Sequence, residues 1–267
     1  MTATSRLGTA LITGASSGIG AVYAERLARR GYDLILVARN RDRLDRLASR
    51  LASATGRSVR VVAADLGKMQ DLRSVEEILR SDPSITMLVN NAGVGSTAPL
   101  LDSDVNQMEA MIDVNVAALA RLTYAVAPQF VARGKGTIVN IASVVAVAPE
   151  LLNGIYGASK AFVLAFTQSL HHELATKGVR VQAVLPGATR TEFWELSGRP
   201  VENLPQAIVM ETEDMADAAL AGLDQGEIAT LPSLPDVADW NAFQSARARL
   251  RPNLSRSKPA ARYGVGA

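Results

Sequence analysis

The chain has 267 residues, enough for one large α/β domain or two small ones, and its 48% hydrophobic content suits a globular protein with a sizeable core. It contains no cysteine, which excludes disulfides, thiolate metal sites and cysteine nucleophiles. The net charge of only +2 argues against a dedicated polyanion binder, and the lack of any run of 18 uncharged apolar residues argues against a membrane span.

In chain order, the start MTATSRLGTALITG lacks a basic segment followed by an apolar stretch, so a cytoplasmic rather than a secreted protein is expected. Residues 9–13 (TALIT) read as a buried strand, followed by a glycine-rich turn and a helix through Arg30. Residues 34–38 (LILVA) predict a second strand and 41–54 a second helix. A third strand over 58–63 precedes a helix over about 70–80, and a short fourth strand covers 87–90. A long helix is expected over about 107–132, kinked or ended by Pro128. Further strands over 137–141, 179–185 and 228–231 alternate with helices over 156–176 and 213–223. Nearly continuous apolar strands separated by helices imply a parallel sheet covered on both faces. The expectation is one doubly wound α/β domain over residues 1–267, with about seven parallel strands.

From Trp240 onward come six basic residues (Arg247, Arg249, Arg251, Arg256, Lys258, Arg262) and no acidic one, leaving 22 basic against 26 acidic residues before it. This basic extension, about 240–267, reads as a solvated or subunit-packing segment. Aromatic residues are too sparse in it for a nucleic-acid arm.

The first strand runs directly into Thr13-Gly14-Ala-Ser-Ser-Gly18-Ile-Gly20 and a helix. In that context Gly14 permits the tight turn, Gly18 lets the backbone approach a pyrophosphate, and Gly20 lets helix and strand pack closely. The helix amino terminus offers free N–H groups and a positive dipole end to phosphates. Tyr156 and Lys160, four apart in YGASK, fall on one helix face. His171 and His172 are adjacent, so their side chains diverge by about 100° and cannot chelate one ion; no metal site is expected.

Five landmarks in order give the chain a resemblance to the short-chain dehydrogenase/reductase family over roughly residues 7–232. They are the TGxxxGxG loop, Asn90-Asn91-Ala92-Gly93 after the fourth strand, and Asn115 in the following helix. The others are Ser143 thirteen residues before Tyr156, and Pro186-Gly187 with Thr191 four residues beyond the glycine. The resemblance implies a Rossmann-like fold and a nicotinamide dinucleotide held by Gly14, Ser16, Ser17, Gly18, Ile19, Gly20, Asp65, Leu66, Asn91, Ala92 and Gly93. It adds Tyr156, Lys160, Pro186, Gly187, Thr189 and Thr191 on the nicotinamide side. Dimers or tetramers built on the helices around 107–132 and 156–176 are a further implication.

Family members using NAD usually place a carboxylate where Ala38 stands. Its absence, with Arg39 next in sequence as a donor fork for a 2′-phosphate, favours NADP over NAD.

By resemblance, the catalytic set is Asn115, Ser143, Tyr156 and Lys160. Hydride transfer to a carbonyl leaves an alkoxide that must be protonated, and the reverse reaction needs a base at the alcohol. A phenol with a pKa of about 10 is a poor base at neutral pH. An ammonium at ~5 Å, with an effective dielectric of ~20, favours phenolate by ~3 kcal/mol, enough to lower that pKa by roughly two. Lys160 is expected to supply this charge. The resemblance assigns Ser143 to polarising the carbonyl and Asn115 to holding a proton-relay water.

The apolar loop after Ser143 (Val144–Leu152) and the segment Thr191–Leu196 suggest a hydrophobic substrate wall, with Val145, Phe193 and Trp194 as contacts and a mobile flap over about 188–212. The overall expectation is an NADP(H)-dependent oxidoreductase acting on a medium-sized hydrophobic ketone or aldehyde and its alcohol. The alternative is a non-catalytic dinucleotide sensor or scaffold with the same fold.

Overall fold

The β-rich apolar segments assemble into one sheet. The computed structural model describes residues 7–265, so the extreme amino terminus and the last two residues of the basic extension lie outside the described residues. The strands are β1 (Thr9–Thr13), β2 (Asp33–Ala38), β3 (Val59–Ala63), β4 (Ile85–Asn90), β5 (Gly136–Ile141), β6 (Val179–Val184) and β7 (Ala229–Thr230). They pair in the order β3-β2-β1-β4-β5-β6-β7, every pair parallel.

The helices are α1 (Gly18–Arg29), α2 (Arg41–Thr55), α3 (Met69–Ser81), α4 (Val105–Ile112), α5 (Leu119–Arg133), α6 (Gly154–Leu174), α7 (Phe193–Leu196), α8 (Thr212–Gln225) and α9 (Val237–Arg249). Successive strand residues point to opposite faces, so each strand feeds two cores. Ile12, Leu36 and Val139 pack with residues of α1, α2 and α8. Leu11, Val37 and Ile138 pack with residues of α3, α5 and α6 on the other face. This is the expected doubly wound, Rossmann-like fold. The strand order reverses between β1 and β4, and in such sheets the crevice outside the strand carboxyl ends at that point is the binding region.

The boundaries differ where side chains outside the apolar pattern decide them. α6 starts at Gly154, two residues before the predicted start, because Asn153 Oδ1 accepts from the N–H of Ile155 at 2.9 Å and of Tyr156 at 3.2 Å. Pro128 does not end α5. The buried Val126 and Phe130 hold the helix on the sheet to either side of it, and the helix stops at Gly134, whose φ is +62°. Residues 105–133 form one continuous helical stretch, with a π-helical turn at Asp113–Ala118 between α4 and α5. Among the described residues this stretch alone is long and apolar enough to cross a membrane, yet Leu122, Ala125, Val126 and Phe130 are buried within the sheet's core. The flap, expected as a loop, carries the short helix α7.

The chain divides into two compact units, Met1–Pro232 and Ser233–Ala267. The second contains α9, started by Asp236 Oδ1 accepting from the Ala238 N–H at 2.8 Å, with the rings of Trp240 and Phe243 5.4 Å apart. No residue of α9 is buried.

Candidate active site

The turn after β1 is built for close approach. Gly14 has φ +63° and Gly18 φ +52°, a region costly for other residues. A Cβ on Gly14 would lie 2.8 Å from Asn91 Nδ2 and 2.9 Å from Ala92 Cα. The loop after β4 buttresses this turn from behind. Thr13 Oγ1 accepts from the N–H of Asn91 at 3.0 Å and of Ala92 at 2.9 Å, and Asn91 Nδ2 donates to the carbonyls of Thr13 and Gly14. Ser17 makes no side-chain cap bond to α1, which leaves the first-turn N–H groups available to an anion. Thr189 is buried, and Thr191 lies beside Gly18, where a Cβ would fall 3.1 Å from its Cγ2.

On the adenosine side, Arg39 is exposed at the end of β2, next to the start of α2. Asp65 Oδ1 accepts from the Gly67 N–H at 3.1 Å, while Asp71 Oδ2 accepts from the Asp65 N–H at 2.9 Å, fixing the loop after β3. Leu66 is buried beside it. Asp71, which shapes this loop, was not foreseen; an acidic residue in the first turn of a predicted helix was the available signal.

The four predicted catalytic residues come together and all are buried. Ser143, just past the end of β5, donates its hydroxyl to the Pro186 carbonyl at 3.3 Å and accepts from the Val145 N–H at 3.4 Å, with its side chain beside the Tyr156 phenol. Lys160 Nζ donates to the Ile141 carbonyl at 2.9 Å and lies 5.8 Å from the centre of the Tyr156 ring. Asn115 sits in the π-helical turn. Its Oδ1 accepts from the Val94 N–H at 2.9 Å, and its Nδ2 donates to the Val94 carbonyl at 2.9 Å and to Ser159 Oγ at 3.1 Å. The turn therefore displays an asparagine that clamps the loop after β4. Gly93 keeps this space open: a Cβ there would lie 3.2 Å from Asn115 Oδ1 and 3.4 Å from Lys160 Nζ.

The electrostatics correct one expectation. Burial pushes the Tyr156 phenol up to about 12, against the opposing hydrogen bond from Ser143. Burial likewise pushes Lys160 down to about 8. Burial of each group disfavours its charged form. Near neutral pH the phenol keeps its proton.

An apolar cluster surrounds the phenol, with Met108, Met111 and Val145 buried and Val94, Leu152, Ile155 and Phe193 packed against it. The rings of Tyr156 and Phe193 are 5.5 Å apart and inclined by 42°. Gly95 makes room for Phe193, since a Cβ at that position would collide with the ring. Trp194 is buried against the back of that cluster: its ring stands edge-on to Phe193 at 5.7 Å, its Nε1 donates to the Thr189 carbonyl at 3.0 Å, and its indole packs with Val201 and Leu204. Met108, Met111 and Gly95 were not foreseen; the methionines' i,i+3 spacing was the only local hint.

A parallel sheet with its switch point at β1 and β4, a glycine-shaped β1–α1 turn and a buried serine–tyrosine–lysine cluster define a Rossmann-like α/β protein with enzyme-like polar groups at the strand ends. Residues 8–200 match the family model described as short chain dehydrogenase. The chain belongs to that family. It is 50% identical to a short-chain dehydrogenase from Sphingobium yanoikuyae solved in complex with NADPH, with a TM-score of 0.93 over 95% of this chain and 98% of that one. It is 47% identical to the bulky-bulky ketone specific alcohol dehydrogenase from Comamonas testosteroni, with a TM-score of 0.89 over 96% of this chain and 98% of that one. A very-long-chain 3-oxoacyl-CoA reductase from Anas platyrhynchos is 35% identical over 192 residues, which are 70% of this chain; the chain spans 62% of that relative's length.

Proposed function

We propose that the protein is an NADP(H)-dependent oxidoreductase that interconverts a medium-sized hydrophobic ketone or aldehyde and its alcohol, with Tyr156 as the general acid or base. The observation that carries this reading is the buried Tyr156 phenol, beside Ser143, four residues from Lys160 and walled by Met108, Met111, Val145 and Phe193.

The residues present fit a nicotinamide dinucleotide. A side chain at Gly93 would crowd the space beside Asn115 and Lys160, and the amino terminus of α1 offers donors to its pyrophosphate. Ser16, Ser17, Gly18, Ile19 and Gly20 would hold the phosphates, with Thr189 and Thr191 closing from the other side. Asp65, Leu66 and Arg39 would take the adenosine end, and Asn91, Ala92, Pro186 and Gly187 the nicotinamide half. A bound nicotinamide supplies hydride to, or takes it from, the reacting carbon.

The chain's own groups handle the proton. Ser143 and Tyr156 hydrogen-bond the carbonyl oxygen, and as the carbonyl becomes an alcohol the phenolic proton moves to that oxygen. Lys160, cationic below a pKa of about 8, stabilises the phenolate that this transfer leaves. A phenol pushed up to about 12 holds a proton at neutral pH that it can give to the developing alkoxide. The NADPH-bound relative and the ketone-specific relative both agree with this reading. Arg39 and the absence of a carboxylate at Ala38 support NADP over NAD.

Association of copies fits the same picture. Tyr124 on α5 and Phe162 on α6 are exposed and both stack on Phe166, an aromatic face suited to a homodimer or homotetramer in a cytoplasmic enzyme.

The test is loss of NADPH absorbance with aryl and alkyl ketones, repeated with NADH and with Arg39→Asp. Turnover of hydrophobic ketones with NADPH is expected, with a reversed cofactor preference in the variant. Turnover confined to small charged carbonyls, or equal use of both cofactors unaffected by Arg39→Asp, would overturn the respective assignment.

A further inference from the structure

Three segments around the proposed dinucleotide groove meet at one carboxylate. Arg43 lies in the first turn of α2, where Asn40 Oδ1 accepts from its N–H at 3.0 Å and fixes the helix start. Glu192 lies immediately before α7, at the base of the flap. Arg43 Nη1 donates to Glu192 Oε2 at 2.6 Å across 149 residues of sequence. Arg43 first, and Ser17 of the β1–α1 turn to a lesser degree, hold the Glu192 carboxyl below its usual range, which puts the Ser17 side chain beside that carboxylate. Its neighbour Thr191 already touches that turn at Gly18. The flap base is fixed independently on its other side: Arg190 N–H donates to the Met210 carbonyl at 2.9 Å, and Thr212 Oγ1 donates to the Arg190 carbonyl at 2.6 Å.

A carboxylate beside a phosphate-binding turn repels an anionic ligand unless a cation neutralises it, and Arg43 does so here. The pair is half-exposed, with side-chain accessibilities of 41% and 50%, so it adds little to folding and is easily opened. An ion pair weak enough to open, and joining the α2 wall to the flap beside the phosphate turn, suits a reversible closure.

We propose that the Arg43–Glu192 pair is a strap that closes the flap base over the β1–α1 turn and retains a bound nicotinamide dinucleotide, so that the cofactor leaves when the pair opens. Both are positioning residues, and the proposal rests on reading this groove as a dinucleotide site. Because the strap acts on the flap, it slows the release of NADPH and NADH alike.

The experiment is stopped-flow measurement of NADPH and NADH release, by fluorescence, from the full chain and from Arg43→Gln, Glu192→Gln, the double variant and the charge-reversed Arg43→Glu/Glu192→Arg. Each single variant is expected to speed release of both dinucleotides by about fivefold, as suits an exposed pair. The double variant should exceed neither single, and charge reversal should bring NADH release back toward the original rate. Added salt should accelerate release from the unaltered protein and leave the single variants unchanged. Release unaltered by either substitution would overturn the strap. So would faster release of NADPH alone in Arg43→Gln together with slower release in Glu192→Gln, a pattern that makes Arg43 a 2′-phosphate ligand. Failure of the unaltered protein to bind either dinucleotide would overturn the groove assignment itself, whereas binding with unchanged release rates overturns the strap alone.

Discussion

Lys160 donates to the main-chain carbonyl of Ile141 at 2.9 Å, while its ammonium stands 5.8 Å from the ring centre of Tyr156. The lysine is thus anchored to β5 and held at, rather than on, the phenol. Burial favours its neutral form, so its pKa of about 8 in the folded chain lies below the ordinary 10.5. Between those values the unfolded chain binds the proton more tightly, so this group makes stability rise with pH from about 8 to 10.5; below 8 its penalty is constant and complete. Lys160→Met should remove a penalty on the order of 3 kcal/mol, partly offset by the lost bond to Ile141, and raise Tm by about 2 °C or more at pH 7. The same variant should lose activity by about 100-fold or more. Differential scanning calorimetry beside a turnover assay checks both.

The pH profile of carbonyl reduction follows from the same groups. Tyr156, pushed up to about 12, remains protonated throughout the accessible alkaline range, whereas Lys160 loses its charge near 8. The kcat/KM for reduction should therefore decline above about pH 8. Lys160→Arg, if it folds, should flatten that alkaline limb because a guanidinium keeps its charge.

Tyr156→Phe keeps the ring that packs on Phe193 and removes the proton. Turnover should fall by about 100- to 10,000-fold. NADPH affinity, measured by fluorescence titration, should change by less than about fivefold, since one hydrogen bond is worth about 1 kcal/mol or less.

Phe193 and Gly95 form a matched pair in the apolar cluster around Tyr156, the proposed substrate wall. Phe193→Ala should enlarge the pocket and shift the ratio of kcat/KM between bulky and small ketones by about tenfold toward the bulky ones. Gly95→Ala should displace the same ring and alter that ratio, with little effect in a Phe193→Ala background. Kinetics on a graded series of aryl ketones in the single and double variants measures this coupling.

Glu76 makes a stability prediction far from the site. Its carboxylate is buried, yet Arg121 approaches at 2.5 Å and Arg80 at 2.7 Å, tying α3 to α5. Burial raises its pKa, but the two guanidinium hydrogen bonds outweigh that and hold it below the usual carboxylate range. Its contribution is present above the ordinary carboxylate pKa and is lost as pH falls through the depressed value. Glu76→Ala should cost about 3 kcal/mol in urea unfolding at pH 7, and the difference from the unaltered protein should shrink in acid.

The sheet and its helices were legible because apolar strands announce themselves within a few residues. β1 and the core of every other strand follow their local runs. The glycine turn and the Asn-Ser-Tyr-Lys series were legible as an ordered pattern. What local sequence could not display depends on partners remote in the chain. The π-helical turn around Asn115 holds Val94, and Glu76 reads as an ordinary helix glutamate until Arg121 arrives from another helix. The protonation balance at Tyr156 was misjudged for the same reason: proximity of a lysine is visible in sequence, whereas the burial of both groups is a property of the packed loops. The cover that Val201 and Leu204 give Trp194, and its edge-on contact with Phe193, also come from folding of the flap rather than from any local pattern.

The turn at Asp113–Ala118 acts as a phase shifter in the helical stretch from 105 to 133. On one side of it, Met108 and Met111 meet Tyr156; on the other, Leu122, Val126 and Phe130 meet the sheet. Excising one residue inside the turn would rotate the two halves against each other by about 100°. The sheet-facing half could keep its seat while the methionines swung off the phenol. Chain length within six residues, rather than the identity of any one of them, thus sets which face of this helix meets Tyr156.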